Sequence, residues 1–468
     1  MQRLRDLVVV VPGIGGSKLT LPNGEVWEPR AKGIARAVIR PSTLDLERFP
    51  ELEPVDLIRT FSVLGPKLTV HGYDNLHTLL NTNFRDVATH VHRRGVPIPA
   101  STDVLLFPYD FRQSVRDAAE RLAAAVHEVL GGESRRRVIV LAHSMGGLVA
   151  RYWIGPLGGW SVCRALITLG TPHRGAPKAL DWLVRGPGFG ALRHPSVRKV
   201  FRQWPSMYEL LPQYPAVWDE RVGREIELTA LRPSSYSAQF ATMAAAGRAT
   251  HDDIAAAWAD IPPARMPDVV PYFGRGHGTP NEVVLRPDGT LDVLKRDPHW
   301  RGNVGWTGDG TVPALSAIPR ELGETRAAWR GLRERHGPMA HTPSMIELLK
   351  SYAGEAVPTR GSDTPSGPWL GIDFEEIVPA GEETQVGVTI QPGGTGAADM
   401  RLLLSPSGLA HVPPITMSGA GEVWMATLPA LDAGRYRLDF EARQVGGPES
   451  VYASADLVVL DAAFEEWS

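Results

Sequence analysis

Through roughly the first 355 residues, short runs of mostly apolar side chains alternate with longer stretches of helical period. The runs at 7–11, 103–107, 138–142 and 162–169 are apolar apart from Asp103, Arg164 and Thr168 and show no strict period-two alternation, which predicts strands buried on both faces of a mostly parallel sheet. Between the second and third runs, Ser114 and Asp117 form a capping pattern. Val115, Ala119, Leu122, Val126 and Val129 then fall on one helical face, predicting a helix packed on the sheet. Two stretches break this rhythm. Residues 27–76 are rich in proline, charge and isolated aromatics (Trp27, Phe49, Phe61), the composition of a lid. Residues 178–267 mix helical stretches with Trp182, Phe189, Phe201, Trp204, Tyr208 and Trp218, the composition of a cap with its own aromatic core.

Beyond Tyr352 the pattern changes. Residues 356–370 have the glycine, proline and serine content of a linker. From 371 to 468, apolar positions recur at period two in short segments, such as 385–390, 400–404, 422–428, 435–440 and 451–460, with glycine and proline between them. This predicts an all-β sandwich of immunoglobulin or fibronectin type. The expected architecture is therefore an α/β catalytic domain over 1–355 followed by a sandwich that serves as an interaction or spacer module for an unidentified protein partner.

Composition narrows the setting. At 468 residues and 43% hydrophobic content the chain can bury a large core in more than one domain. A net charge of -3 gives no footprint for nucleic acid or for an anionic membrane surface, so membrane contact is expected only transiently, through the lid. The single cysteine, Cys163, lies in an apolar run and reads as a small core residue. Residues 1–6 lead directly into the first strand without a leader, and no apolar run approaches a membrane span, which sets a cytoplasmic expectation.

The chemistry concentrates where apolar strands end. The third run ends in Ala142-His143-Ser144-Met145-Gly146-Gly147, a nucleophile elbow in which alanine replaces the usual first glycine. A serine hydroxyl attacks an ester only when it stands clear of the sheet on a tight strand-to-helix turn, and small neighbours permit that turn. The first run ends in Pro12-Gly13-Ile14-Gly15-Gly16-Ser17. Such a loop can also cradle phosphate, but the GxGxxG spacing and a terminal Lys-Ser/Thr are both missing. It reads instead as half of an oxyanion hole, with the N–H groups of Ile14 and Met145 as donors. Two Asp-Gly turns compete for the acid. Asp288 lies between two strand-like segments and is assigned to a plain hairpin, which leaves Asp309. For the base, His336 stands on a loop before the last helix, with His341 as its close rival. The order Ser144, Asp309, His336 is that of α/β-hydrolases. Such a site calls for no cofactor and no metal. Asp110 and Arg112, after the second apolar run, read as an orienting ion pair.

These segments together resemble the lecithin:cholesterol acyltransferase-like group of α/β-hydrolases, which includes lysosomal phospholipase A2. The likeness rests on residues 11–17, on Pro108-Tyr109-Asp110-Phe111-Arg112 (where the family usually has tryptophan in place of Phe111), on 142–147 and on Gly308-Asp309-Gly310-Thr311-Val312-Pro313. Residues 272–276 and Thr279-Pro280 look like the segment preceding the family's acid. The resemblance implies Ser144 as nucleophile, Asp309 as acid, His336 as base, and Ile14 and Met145 as oxyanion donors. Gly337 departs from the aliphatic residue that often follows the family's base. His173, in a turn that many lipases carry beside the pocket, reads as structural. Trp27 is a candidate acyl contact, because the family also carries a tryptophan in its first insert.

The function expected is a serine-dependent hydrolase or O-acyltransferase of lipid acyl esters. Water and alcohol acceptors use the same triad, so the sequence leaves that choice open. The alternative is a catalytically idle lipid-binding or scaffold protein acting through its sandwich, against which an intact nucleophile, acid and base argue.

Overall fold

The computed structural model describes residues 2–21, 24–27, 41–59, 61–62, 69–70, 72–131, 136–186, 188–189, 192–193, 195–231, 237–296, 298, 307–323, 325, 328–341, 343–354, 369–391, 397–406, 414–420, 423–444 and 450–460. Seven parallel strands form the central sheet: β1 (Leu7–Val11), β2 (Thr89–Val91), β3 (Val104–Leu106), β4 (Val138–His143), β5 (Cys163–Leu169), β6 (Asp268–Gly274) and β7 (Arg330–Leu332). Their order across the sheet is β7-β6-β5-β4-β1-β3-β2. The apolar runs are the central strands, and β1 shows why. Leu7, Val9 and Val11 enter one hydrophobic cluster while Val8 and Val10 enter another on the opposite face. Each such side chain contributes roughly 1.5–3 kcal/mol by leaving water.

Helices cover both faces. On the first lie α2 (Val115–Leu130) and α3 (Gly146–Ile154), and on the second α1 (Asp74–Asn83) and α6 (Pro343–Ala353). The α2 start is the one its sequence predicts: Ser114 Oγ accepts from the Asp117 N–H, and the five apolar positions of that face are buried. The strands are in register so that β1 pairs with β4 from Leu7 opposite Val138 to Val11 opposite Ala142. Both then release their loops at the same edge, where open α/β sheets bind ligands.

The two inserts lie over this edge. In the first, strands at 17–21, 24–27 and 53–57 make a small antiparallel sheet; much of the remainder, including 28–40, is outside the described residues. The second holds α4 (Pro177–Arg185) and α5 (Ser237–Ala259). Trp204 and Tyr208 are fully buried and Phe201 packs against Trp204, so these three of the six expected cap aromatics belong to a core. Asp288 closes a hairpin between Glu282–Leu285 and Leu291–Leu294, as its turn chemistry predicts.

The C-terminal segment forms two mostly antiparallel sheets around a shared apolar core. The first contains β8 (Trp369–Asp373), β10 (Thr384–Gln391), β13 (Ser418–Ala420) and β14 (Val423–Leu428), in the order β8-β10-β14-β13. The second is built from β9 (Ile377–Pro379), β11 (Ala397–Pro406), β12 (Ile415–Thr416), β15 (Gly434–Gln444) and β16 (Ser450–Leu460), in the order β9-β16-β15-β11-β12. Most of the expected linker, 355–368, is outside the described residues. Among the described residues, no helix is long and apolar enough to cross a membrane. Cys163 is buried at the start of β5, and burial pushes its thiol up to about 12.

Candidate active site

The β4 strand ends in a turn that forces Ser144 to φ 53°, one of two non-glycine residues at positive φ among those described. Strain of this kind at a tight turn is held only by a surrounding structure that leaves no alternative. Here the walls are backbone: a Cβ on Gly146 would stand 2.5 Å from the carbonyl oxygens of Val11 and Pro12. The Ser144 N–H is tied to Leu169 O at 2.9 Å, and Ala142, in the place of the motif's first glycine, is fully buried.

Asp309 and His336 arrive from loops at the other end of the same edge. Asp309 is 1% exposed. Its Oδ1 accepts N–H bonds from Thr311 at 2.8 Å and Val312 at 2.7 Å, and its Oδ2 lies 2.7 Å from His336 Nδ1. On the far side of the ring, His336 Nε2 lies 2.9 Å from Ser144 Oγ. The His336 N–H also donates to Asp309 O at 3.0 Å, so acid and base are joined through backbone as well as side chain. Burial alone would push the Asp309 carboxyl up, but His336 and the two N–H donors outweigh it and hold the group below the usual carboxylate range. The structure thus brings Ser144, Asp309 and His336 into one hydrogen-bonded chain. His173 stays out of it, buried against Thr168 Oγ1 at 3.2 Å. His341 ends a short helical turn at 338–341, and its side chain is outside what is described.

Trp27, the candidate acyl contact, meets the loop after β1. Its indole Nε1 donates to Gly15 O at 3.0 Å and its ring meets Phe111 edge-on, so it braces the loop after β1. It is not among the residues lining the cavity beside Ser144. Ile14 does line that cavity, and the N–H groups of Ile14 and Met145 carry no hydrogen bond to another described residue. Asp110 and Arg112 form the expected pair, buried and bidentate at 2.9 and 2.6 Å, and the guanidinium also donates to Phe49 O at 2.9 Å in the first insert.

Two residues that carry no motif link the halves of the site. The Gly13 N–H donates to Tyr73 Oη at 2.9 Å, Tyr73 Oη lies 2.9 Å from His143 Nδ1, and His143 Nε2 lies 3.1 Å from His336 O. A carbonyl only accepts, so Nε2 carries the proton and Nδ1 takes the tyrosine's. The loop after β1, the elbow and the base loop are thereby one network. In sequence His143 is merely the variable position of the elbow motif. Tyr73 falls at the end of an irregular insert, where no local pattern announces it.

The sequence model of the lecithin:cholesterol acyltransferase family matches residues 74–265. Residues 74–265 are similar in sequence to that family. Ser144 and His143 lie inside the match, while Asp309 and His336 lie beyond it. Among solved structures, the lipase BlEst2 of Bacillus licheniformis in its mature form is 14% identical over 74% of this chain and 92% of that one, with a TM-score of 0.36. Its propeptide form is 11% identical over 97% and 93%, with a TM-score of 0.35. A CARDB domain from Pyrococcus furiosus, solved in complex with di-metal ions, is 17% identical over 20% of this chain and 88% of that one, with a TM-score of 0.16. No curated protein matches the chain.

Above Ser144, residues of the matched segment supply much of the wall of a pocket of about 250 Å³. Ala179, Trp182, Met207 and Leu210 line it from the second insert and Ala176 from just before it, together with Ile14, Ile58 and Val312. Lys178 adds an ammonium to this apolar wall and donates to Thr311 Oγ1 at 3.3 Å. Burial lowers its pKa from the ordinary lysine value.

Proposed function

We propose that the protein is a serine-dependent hydrolase or O-acyltransferase of lipid acyl esters. The observation that carries this reading is the relay of 2.9 Å from Ser144 Oγ to His336 Nε2 and 2.7 Å from His336 Nδ1 to Asp309 Oδ2, at the floor of an apolar pocket. His336 Nε2 takes the proton as Ser144 Oγ attacks the ester carbonyl, and Asp309 stabilises the imidazolium that results. The N–H groups of Ile14 and Met145 receive the tetrahedral oxyanion. Collapse of that intermediate expels the alcohol, protonated by His336, and leaves an acyl-Ser144. Water or a second alcohol, deprotonated in turn by His336, then takes the acyl group.

The family match supports a lipid-ester substrate, as does a pocket walled by aliphatic side chains and Trp182, which suits an apolar acyl segment while keeping bulk water from the acyl-enzyme. The test is incubation with mixed phospholipids with and without an alcohol acceptor, followed by product analysis, alongside labelling by a fluorophosphonate. Labelling lost in Ser144→Ala, with free fatty acid or acylated alcohol as product, is the expected result. Turnover that survives Ser144→Ala overturns the assignment.

A further inference from the structure

The C-terminal sheets do not stand apart from the site. The β8 strand lies against the loops that follow β6 and β7, and glycines set how closely. A Cβ on Gly276 would stand 2.4 Å from the Trp369 ring, one on Gly278 2.1 Å from the Asp373 carboxylate, and one on Gly371 2.0 Å from Gly276 O. Lys295 reaches the same strand from the hairpin, 2.6 Å from Asp373 Oδ1.

Two bridges run from this seam to the acid and base. His277 Nε2 donates to Arg333 O at 2.5 Å while its Nδ1 accepts the Ile372 N–H at 3.3 Å. The His277 backbone N–H donates to Gly308 O at 3.0 Å, one residue before Asp309. Arg335, the neighbour of His336, donates from Nη1 to Ile372 O at 3.2 Å, lies over the Phe374 ring at 5.0 Å, and holds its Nε 2.6 Å from Glu376 Oε1. The guanidinium also packs over the Gly310 turn, where a Cβ would meet Arg335 Nη2 at 3.2 Å. Gly308 and Gly310, on either side of Asp309, and Arg335, beside His336, are therefore tied to β8 and the turn after it, directly or through one side chain.

We infer that the C-terminal β segment is a positioning element for the reaction, and that Arg335 and Glu376 hold the His336 and Asp309 loops in reacting geometry. This rests on the assignment of Ser144, Asp309 and His336. Neither Arg335 nor Glu376 touches the reacting atoms; they act through the base loop.

The test uses the full chain with p-nitrophenyl acetate, and kcat is expressed per site titrated by a fluorophosphonate, so that unfolded protein does not count. In Arg335→Met, which keeps the stem but loses the charge and its bonds, kcat should fall about ten- to a hundredfold with KM within about twofold, the size of effect that small misplacement of a catalytic group produces. Glu376→Gln should lower kcat in the same direction by less, since that carboxylate is half exposed. The reversed pair Arg335→Glu with Glu376→Arg should recover part of what Glu376→Arg alone loses. Arg437→Ala, which breaks an exposed ion pair with Asp439 elsewhere on the same sheets, should leave kcat unchanged. Wild-type kcat per titrated site in both Arg335→Met and Glu376→Arg overturns the inference. So does a loss in which KM rises while kcat holds. Turnover in Ser144→Ala would instead remove the assignment of the site itself, and it is read from a separate variant.

Discussion

The nucleophile side and the base side of this site are built by different means. Ser144 and the loop of Gly13 and Ile14 leave adjacent parallel strands and are held against each other by backbone packing, with a Cβ on Gly13 only 2.8 Å from Ser144 Cβ. Asp309 and His336 sit on long loops after β6 and β7, where the sheet is near its edge, and much of what surrounds those loops comes from β8. A geometry set by neighbouring strands needs only the right small residues in a row. One set by loops needs outside support, and here that support lies in a separate part of the chain.

The largest effects should come from the reacting groups themselves, one on each side. Ser144→Ala and Asp309→Asn are each expected to lower kcat/KM for a soluble ester by about ten-thousandfold, the first by removing the nucleophile and the second by losing the charge that fixes the imidazole. Steady-state assays with thermal denaturation check this: Ser144→Ala should unfold at the wild-type temperature, because a nearly buried hydroxyl at the elbow contributes little packing. If Asp309→Asn retained most of its activity, the acid would lie elsewhere and the base side would need redrawing.

Next in size is the network that joins the two sides. Tyr73→Phe removes the acceptor for the buried Gly13 N–H and the donor to His143 Nδ1. Burying such groups unpaired costs about 1–3 kcal/mol. Because the Gly13 loop carries the proposed oxyanion donor Ile14 and His143 holds His336 O, the loss should appear in kcat, with KM nearly constant. An unchanged kcat in Tyr73→Phe would mean that the two sides are positioned independently.

The same contrast governs what the sequence discloses. The elbow and the loop after β1 are contiguous motifs whose small residues answer to close strand packing, so the Ser144 turn and the Gly13 loop beside it can be placed from the sequence alone. Asp309 and His336 can be read only as candidates among several acids and fourteen histidines, because what distinguishes them is tertiary. Tyr73, His143 and Arg335 carry no local signature at all. Their partners are 60, 70, 193 and 37 residues away along the chain. Period-two alternation disclosed strands β10, β11, β14, β15 and β16, but β8 does not alternate, because four of its five residues are buried. An interaction or spacer module was expected, and the docking of β8 beside the site was not.

A smaller effect should show as a pH dependence of stability on the base side. Burial holds the His277 ring below the ordinary histidine value, with the charge of Arg335 adding to the shift, so the ring is neutral when it bridges Arg333 O and Ile372 N–H. Its unfolded pKa is near 6.5. Below that value the unfolded chain binds more protons than the folded chain, so this group's contribution is present above pH 6.5 and declines as pH falls, at no more than about 1.4 kcal/mol per pH unit, until the folded ring is protonated too. His173 and His251 are also buried and shifted down, with the same sign. The informative quantity is therefore a difference. Denaturant melts of the wild type between pH 8 and 5 should lose stability more steeply than those of His277→Gln, and parallel curves would show that His277 is not the titrating bridge.

The smallest effect separates the two tryptophans near the nucleophile. Trp182 lines the pocket, and Trp27 bonds to Gly15 O behind the loop. Trp182→Ala should weaken only substrates long enough to reach it. With about 0.8 kcal/mol for each buried methylene, losing one or two contacts would lower kcat/KM for a long-chain ester by roughly four- to fifteenfold while sparing p-nitrophenyl acetate. Trp27→Ala should instead lower kcat severalfold for both esters alike, because it loosens the loop that presents the Ile14 N–H rather than a wall of the pocket. Comparing the two esters across both variants decides the matter. A chain-length effect in Trp27→Ala would restore that residue to the acyl site and extend the pocket under the first insert, whereas equal losses in Trp182→Ala would make its indole part of the cap's core.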